Sequence, residues 1–128
     1  MNKTIFCTGV FFAVLAVILG AFAAHGLDDL ITASEKETFK TGVTYQMYHA
    51  LLLLILGSIK SIPGKEKKVV FYFIVSGIIF FSFSIYFLAT NSLTGFDFKT
   101  IGIITPIGGL LLIIGWILLG YQACKKFK

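Results

Sequence analysis

Charge is what this sequence has least of. Only 13% of its 128 residues are Asp, Glu, Lys or Arg, against roughly 25% in an ordinary soluble domain. Apolar residues make up 57%. That balance excludes a disordered chain and disfavours a soluble globule. Cysteine is scarce too: two residues, Cys7 and Cys124, are too few for a disulfide scaffold. They also lack metal-ligand spacing. There is no phosphate loop, no paired carboxylate and no Ser–His–Asp set with workable spacing. The Gly108-Gly109 step follows no strand, so it is not a dinucleotide fingerprint. The net charge of +5 comes without a basic stripe interleaved with aromatics, so nucleic-acid binding explains it poorly.

What is present is long apolar runs. A transmembrane helix needs about 20 mostly apolar residues, and four segments qualify: Ile5–Ala24, Tyr45–Ile62, Val69–Ala89 and Ile101–Tyr121. None contains Asp, Glu or Arg, and Lys60 sits at the very end of the second. They are apolar on all sides, whereas barrel strands alternate apolar and polar positions. The expectation is a single all-α domain of four transmembrane helices. Eight lysines (Lys3, Lys60, Lys65, Lys67, Lys68, Lys125, Lys126, Lys128) lie at the termini and the 60–68 loop. Three (Lys36, Lys40, Lys99) lie in the 25–44 and 90–100 loops. Lysine-rich loops stay cytoplasmic, which predicts a cell-membrane protein with both termini inside. Cys7 and Cys124 then face a reducing compartment. A signal peptide ending near Ala21-Phe22-Ala23 is the competing reading of the first run, but the run exceeds a typical h-region.

Small residues at Gly9, Ala13, Ala16, Gly20 and Ala23 fall on one face of the first span. Such a stripe lets helix backbones approach in lipid, within this chain or with another copy. Gly108, Gly109 and Gly115, with Gly102, give the fourth span the same character. In the first outer loop, Ser34-Glu35-Lys36-Glu37 fits a capping box with Ser34 as N-cap, starting a helix that runs into the second span. The alternative there is a short interfacial helix with Leu30, Ile31 and Phe39 against lipid. Gly26, after His25, stands where a helix C-cap favours glycine. Pro63-Gly64 marks a tight turn. Pro106 either starts or kinks the fourth helix. A start there would leave only about 24 Å of helix, so a kinked helix from near Lys99 is expected, with Trp116 and Tyr121 toward the cytoplasmic interface.

This topology gathers the polar span residues in the outer half of the bilayer: His25, Tyr45, Gln46, Tyr48, His49 and Thr105, with Tyr86, Thr90 and Asn91 ending the third span. Tyr45, Tyr48 and His49 share a helix face at i, i+3 and i+4. An intramembrane histidine suggests a proton relay or metal ligand. The plainer reading is a hydrogen bond from His49 to a neighbouring helix that fixes packing. Two histidines on different helices could also hold haem, although no Cys-x-x-Cys-His is present.

Three stretches resemble a known family. They are Gly20-Ala21-Phe22-Ala23-Ala24-His25-Gly26-Leu27, then Thr41-Gly42-Val43-Thr44-Tyr45-Gln46-Met47-Tyr48-His49-Ala50-Leu51, and Ile104-Thr105-Pro106-Ile107-Gly108-Gly109 with Gly115-Trp116 following. They resemble the small bacterial membrane proteins of the YgdD/YwdK type, an uncharacterised family with eukaryotic relatives. The resemblance implies a multi-pass plasma-membrane protein and carries no reaction with it. It puts emphasis on His25, Tyr45, Gln46, Tyr48, His49, Thr105 and Pro106. Ala23 stands where that family usually has glycine, and Phe83 where a small residue is usual.

The resulting expectation is a non-enzymatic accessory or interaction protein with no metal or other cofactor. Its outer polar cluster would contact membrane lipid, a membrane-protein partner, a small polar ligand or a second copy. The alternative is a small oligomeric transporter or channel gated by His49, for which the spans supply no acid.

Overall fold

The computed structural model of the protein describes residues 1–95, 97 and 102–127. Among these there is no β-strand, and four long helices follow one another. They are α1 (Lys3–His25), α2 (Ala33–Ser58), α3 (Gly64–Ala89) and α4 (Ile104–Lys126). Lys99 and Ile101, where the fourth span was expected to begin, lie outside the described residues, as does Lys128.

Local chemistry sets the helix ends. Asn2 caps α1 by accepting the Ile5 N–H at 3.1 Å, and its own N–H donates to Gly57 O at 2.7 Å, which ties the start of α1 to the end of α2. At the other end, the Gly26 N–H donates to Phe22 O in right-handed helical geometry. A Cβ there would lie 2.5 Å from the Phe22 ring, which would have to turn aside. Residues 26–32 are turn and extended chain, with no separate interfacial helix. Leu30 is exposed, and Phe39 is buried inside α2.

The capping box is real but sits two residues earlier than expected. Thr32 is the N-cap: its hydroxyl accepts the Glu35 N–H at 3.1 Å, and the Glu35 carboxylate accepts the Thr32 N–H at 2.9 Å. Ser34 lies inside the helix and Glu37 on its exposed side. The Ser/Thr-x-x-Glu pattern occurs twice in succession, and the first copy wins. As expected, α2 continues without a break into the second apolar run.

The fourth helix corrects another expectation. It starts at Ile104, so Pro106 falls in its first turn. There a missing N–H costs nothing, because first-turn donors have no intrahelical partner. The length lost at the start is recovered at the other end, where the helix continues to Lys126. Its 23 residues span about 34 Å, enough for the hydrocarbon layer.

Within α3, residues Ile79–Phe83 form a π-helical segment. Such a segment disturbs the ordinary carbonyl pairing, and Ser84 answers it locally. Its hydroxyl reaches Phe80 O at 2.6 Å and Phe81 O at 2.9 Å.

The helices pack as two antiparallel hairpins. Gly9 of α1 meets Ala50 and Leu53 of α2, and Gly115 of α4 meets Ile74 of α3. Helices α2 and α3 form the inner pair, with Gly42 against Ile85 and Tyr86. Helices α1 and α4 flank them. The core between them contains Ile5, Phe12, Leu53, Leu56, Val70, Ile74, Ile78 and Leu112. A second cluster, Ala23, Leu27, Phe39 and Ala89, closes the end away from the termini.

The small-residue stripe of α1 turns onto α2 of the same chain. Ala16 and Ala23 are buried, Ala13 packs on the core, and Gly20 lies opposite Val43. A Cβ at Gly9 would stand 2.9 Å from Ala50 O. Tighter still is Gly108, where a Cβ would come within 2.2 Å of the Phe81 backbone nitrogen. A Cβ at Gly109 would make only ordinary contact with the Phe81 ring, at 3.6 Å. Phe83 stands at nearly the same level. Its ring lies beside Phe12 and Tyr86.

The outer surface is apolar. Val10, Phe11, Val14, Val17 and Ile18 on α1 are exposed, as are Ile107, Leu110, Ile113 and Ile117 on α4. A water-soluble monomer rarely carries patches of this extent. Helices α1, α3 and α4 are long and apolar enough to cross a membrane. Helix α2 is long enough, but Thr41, Thr44, Tyr45, Gln46, Tyr48 and His49 in its first half lower its hydropathy.

Candidate functional site: a buried polar network

Those polar residues of α2 supply most of the candidate site. Gln46 is wholly buried, and a buried amide must find partners. Both of its ends are used. Its Nε2 donates to Phe12 O of α1 at 2.9 Å, and its Oε1 accepts the Tyr86 hydroxyl of α3 at 2.6 Å. One side chain thus joins three helices. One turn away, Ser82 of α3 donates to Gly42 O of α2 at 2.8 Å. Ser82 and Tyr86 are four apart and lie on the same face of α3.

His49 lies one turn beyond Tyr45 on α2. Its Nδ1 is 2.6 Å from Tyr45 O, and its Nε2 accepts the Trp116 indole N–H at 3.0 Å. A carbonyl can only accept, so Nδ1 carries the proton. Nε2 receives a hydrogen bond, so it is bare. The contacts therefore select the neutral Nδ1–H tautomer. The ring joins α2 to α4 and stacks 6.4 Å from Tyr45. A third crosslink runs from α3 to α4, where the Ser84 and Thr105 hydroxyls are 2.6 Å apart. Ser84 spends its proton on the Phe80 and Phe81 carbonyls, so Thr105 is the donor.

The six expected site residues therefore divide. Gln46, His49 and Thr105 enter the network. Tyr45 and Tyr48 are exposed on the outside of α2, and Tyr45 contributes its backbone carbonyl and a ring against Phe81. His25 is exposed at the end of α1. Phe22 faces Phe39 across the first hairpin, so His25 lies beyond the level of residue 39. His49 is ten residues farther along α2, roughly 15 Å at 1.5 Å per residue. The two imidazoles do not share a depth, and within one chain they cannot be the two axial ligands of one haem.

Trp116 also departs from expectation. It is twelve residues after Ile104 and ten before Lys126, so it sits at mid-helix with His49 and not at an interface. The sequence offered no partner for Tyr86 or Trp116 and no role for Ser82 or Ser84. The i, i+4 pairing of Ser82 with Tyr86 was the one available signal.

Outside the bundle, Lys36 bonds to Asp28. That hydrogen bond, and then the lysine's charge, hold the Asp28 carboxyl below its ordinary value of 3.8. Among the described residues no group of three His, Cys, Asp or Glu could hold a metal ion. Cys7 and Cys124 are free and exposed.

Comparison with known proteins identifies relatives along most of the chain. Residues 19–109 match a family described as "Protein of unknown function (DUF423)". A UPF0382 membrane protein of Staphylococcus epidermidis is 40% identical over 123 residues, covering 96% of this chain and 97% of the relative. Similar proteins of Staphylococcus aureus and Staphylococcus saprophyticus are 43% and 40% identical over 117 residues, 91% of this chain in each case and 92% and 93% of the relatives. No solved structure matches the chain.

Proposed function

This chain belongs to the DUF423 family, whose relatives are membrane proteins, and on that premise we propose that it is a four-crossing protein of the cytoplasmic membrane acting as a non-enzymatic interaction scaffold. Both termini lie in the cytoplasm. Lys60, Lys65, Lys67, Lys68, Lys125 and Lys126 gather at one end of the bundle, in keeping with the positive-inside rule. Helix α2 supplies the remaining crossing: its Gln46 and His49 are turned into the bundle, while Tyr45 and Tyr48 face outward.

The observation that carries the functional reading is the use of both ends of the Gln46 amide inside the protein. A site built for a small polar ligand keeps groups free to meet it. Here the polar groups are spent on holding four helices together, and what remains for contact is the apolar outer surface, which includes the outside of α1 and α4. The partner is a membrane protein or a second copy of this chain.

Photo-crosslinkers placed at Val14 and Ile117 in native membranes test this. A discrete adduct from at least one position is expected. Lipid adducts alone from both would overturn the scaffold reading. Topology is checked with both native cysteines replaced. An impermeant thiol reagent should reach Glu37→Cys from outside the cell and miss Ser61→Cys. The opposite pattern would reverse the assigned orientation.

A further inference from the structure

At the lysine-rich end, the seam between α3 and α4 holds a cavity of about 180 Å³ lined by Lys65, Glu66, Val69, Val70, Leu118 and Gln122. The buried Oε2 of Glu66 has no hydrogen-bond partner among the described residues. An orphaned carboxylate oxygen is costly and calls for a donor. The first turn of α3 favours a negative charge at Glu66 but places no donor on that oxygen. Nor does any ion pair join Lys65 to Glu66 among the described residues.

The lining has a polarity gradient. Lys65 and Glu66 lie in the first turn of α3, and Gln122 lies near the end of α4, where the apolar runs stop. Below them, toward the middle of the bundle, the walls are Val69, Val70 and Leu118, and Val69 is exposed on the outer surface. A ligand that fits this order carries a hydrogen-bond-donating cation, an anion beside it, and an apolar body reaching toward the hydrocarbon.

We propose that this cavity binds the headgroup of a phospholipid bearing a primary ammonium, such as phosphatidylethanolamine. With a turn of the Glu66 side chain, the ammonium donates to its carboxylate, whose closed-off Oε2 otherwise has no partner. The phosphate pairs with Lys65 at the headgroup level. The acyl chains lie along Val69 and Leu118. A quaternary choline headgroup has the same charge and no N–H to give, so the site distinguishes the two by hydrogen bonding. This site is independent of the scaffold role and requires only that the protein sit in a bilayer.

The test uses the full-length protein in nanodiscs, with retained lipid counted by native mass spectrometry. The probes are phosphatidylethanolamine, its N,N-dimethyl derivative and phosphatidylcholine with matched chains. Retention should fall along that series, by about tenfold from first to last, the scale of one charge-assisted hydrogen bond. Glu66→Gln should flatten the series. Equal retention of all three headgroups by the wild-type protein would overturn the proposal, and that arm needs no variant to fold. Soluble phosphoethanolamine should leave the bound lipid in place. Its displacement of the lipid at matched concentration would show that the apolar walls contribute nothing and would also overturn the assignment.

Discussion

Trp116 donates its indole N–H to Nε2 of His49 across 3.0 Å, at the midpoint of α4 and deep in the polar half of α2. This is a direct side-chain bond between those two helices, and it gives His49 a structural task. A protonated imidazole would present N–H groups on both sides and leave the indole without an acceptor.

The first prediction follows from that pair. Trp116 is the one tryptophan in the chain, so indole spectroscopy reports this site alone. His49→Leu should move the indole N–H vibration to the position of an unbonded indole. Trp116→Phe and His49→Leu should each destabilise the protein in bilayers by about 1 kcal/mol, the scale of interhelical hydrogen bonds in membranes. The double variant should lose less than the sum, because the two groups share one bond. Strict additivity would show that the bond contributes nothing.

Helix approach gives a second prediction with an internal control. A Cβ at Gly108 would meet the Phe81 backbone at 2.2 Å, while one at Gly120 meets nothing within 4 Å. Gly108→Ala should force α4 off α3 and cost about 1–3 kcal/mol, as overpacking does. Gly120→Ala should be neutral or slightly stabilising, since alanine is the better helix former. Thermal unfolding in detergent compares the two directly, and equal effects would refute the packing assigned to Gly108.

A third prediction concerns pH at the exposed loop. Lys36 holds the Asp28 carboxyl below 3.8 in the folded chain. The folded state therefore binds that proton less readily than the unfolded state. The contact stabilises above the unfolded value and is lost as pH falls through the lower folded one. NMR titration should place the Asp28 midpoint below 3.8, and Lys36→Met should raise it. No movement in the Lys36 variant would refute the assigned cause.

Much of the fold was legible because lipid solvation leaves a coarse signature. The first apolar run was read as Ile5–Ala24, and the helix is Lys3–His25. Finer features failed for identifiable reasons. The Thr32 and Ser34 boxes share one pattern, and only the local backbone chooses between them. A proline in a first turn and a proline at a kink look alike in sequence, so the start of α4 at Ile104 was missed. Nothing in Ile79–Phe83 announces a π segment, whose Phe80–Phe81 backbone packs against Gly108. Gln46 and His49 stood out as polar residues within an apolar run. Their partners Phe12, Tyr86 and Trp116 lie on other helices, and sequence spacing carries no information about contacts 34, 40 and 67 residues away.

The most direct test is a double-mutant cycle on Gln46 and Tyr86, measured by reversible unfolding in bilayers with Gln46→Leu, Tyr86→Phe and both. If the polar residues exist to lock the helices, each single change destabilises, because it strands a buried partner. The coupling should be about 0.6–2 kcal/mol, the range for interhelical hydrogen bonds in membranes. Two neutral single variants with zero coupling would contradict the lock, and would mean that Gln46 is kept for something other than holding α1, α2 and α3 together.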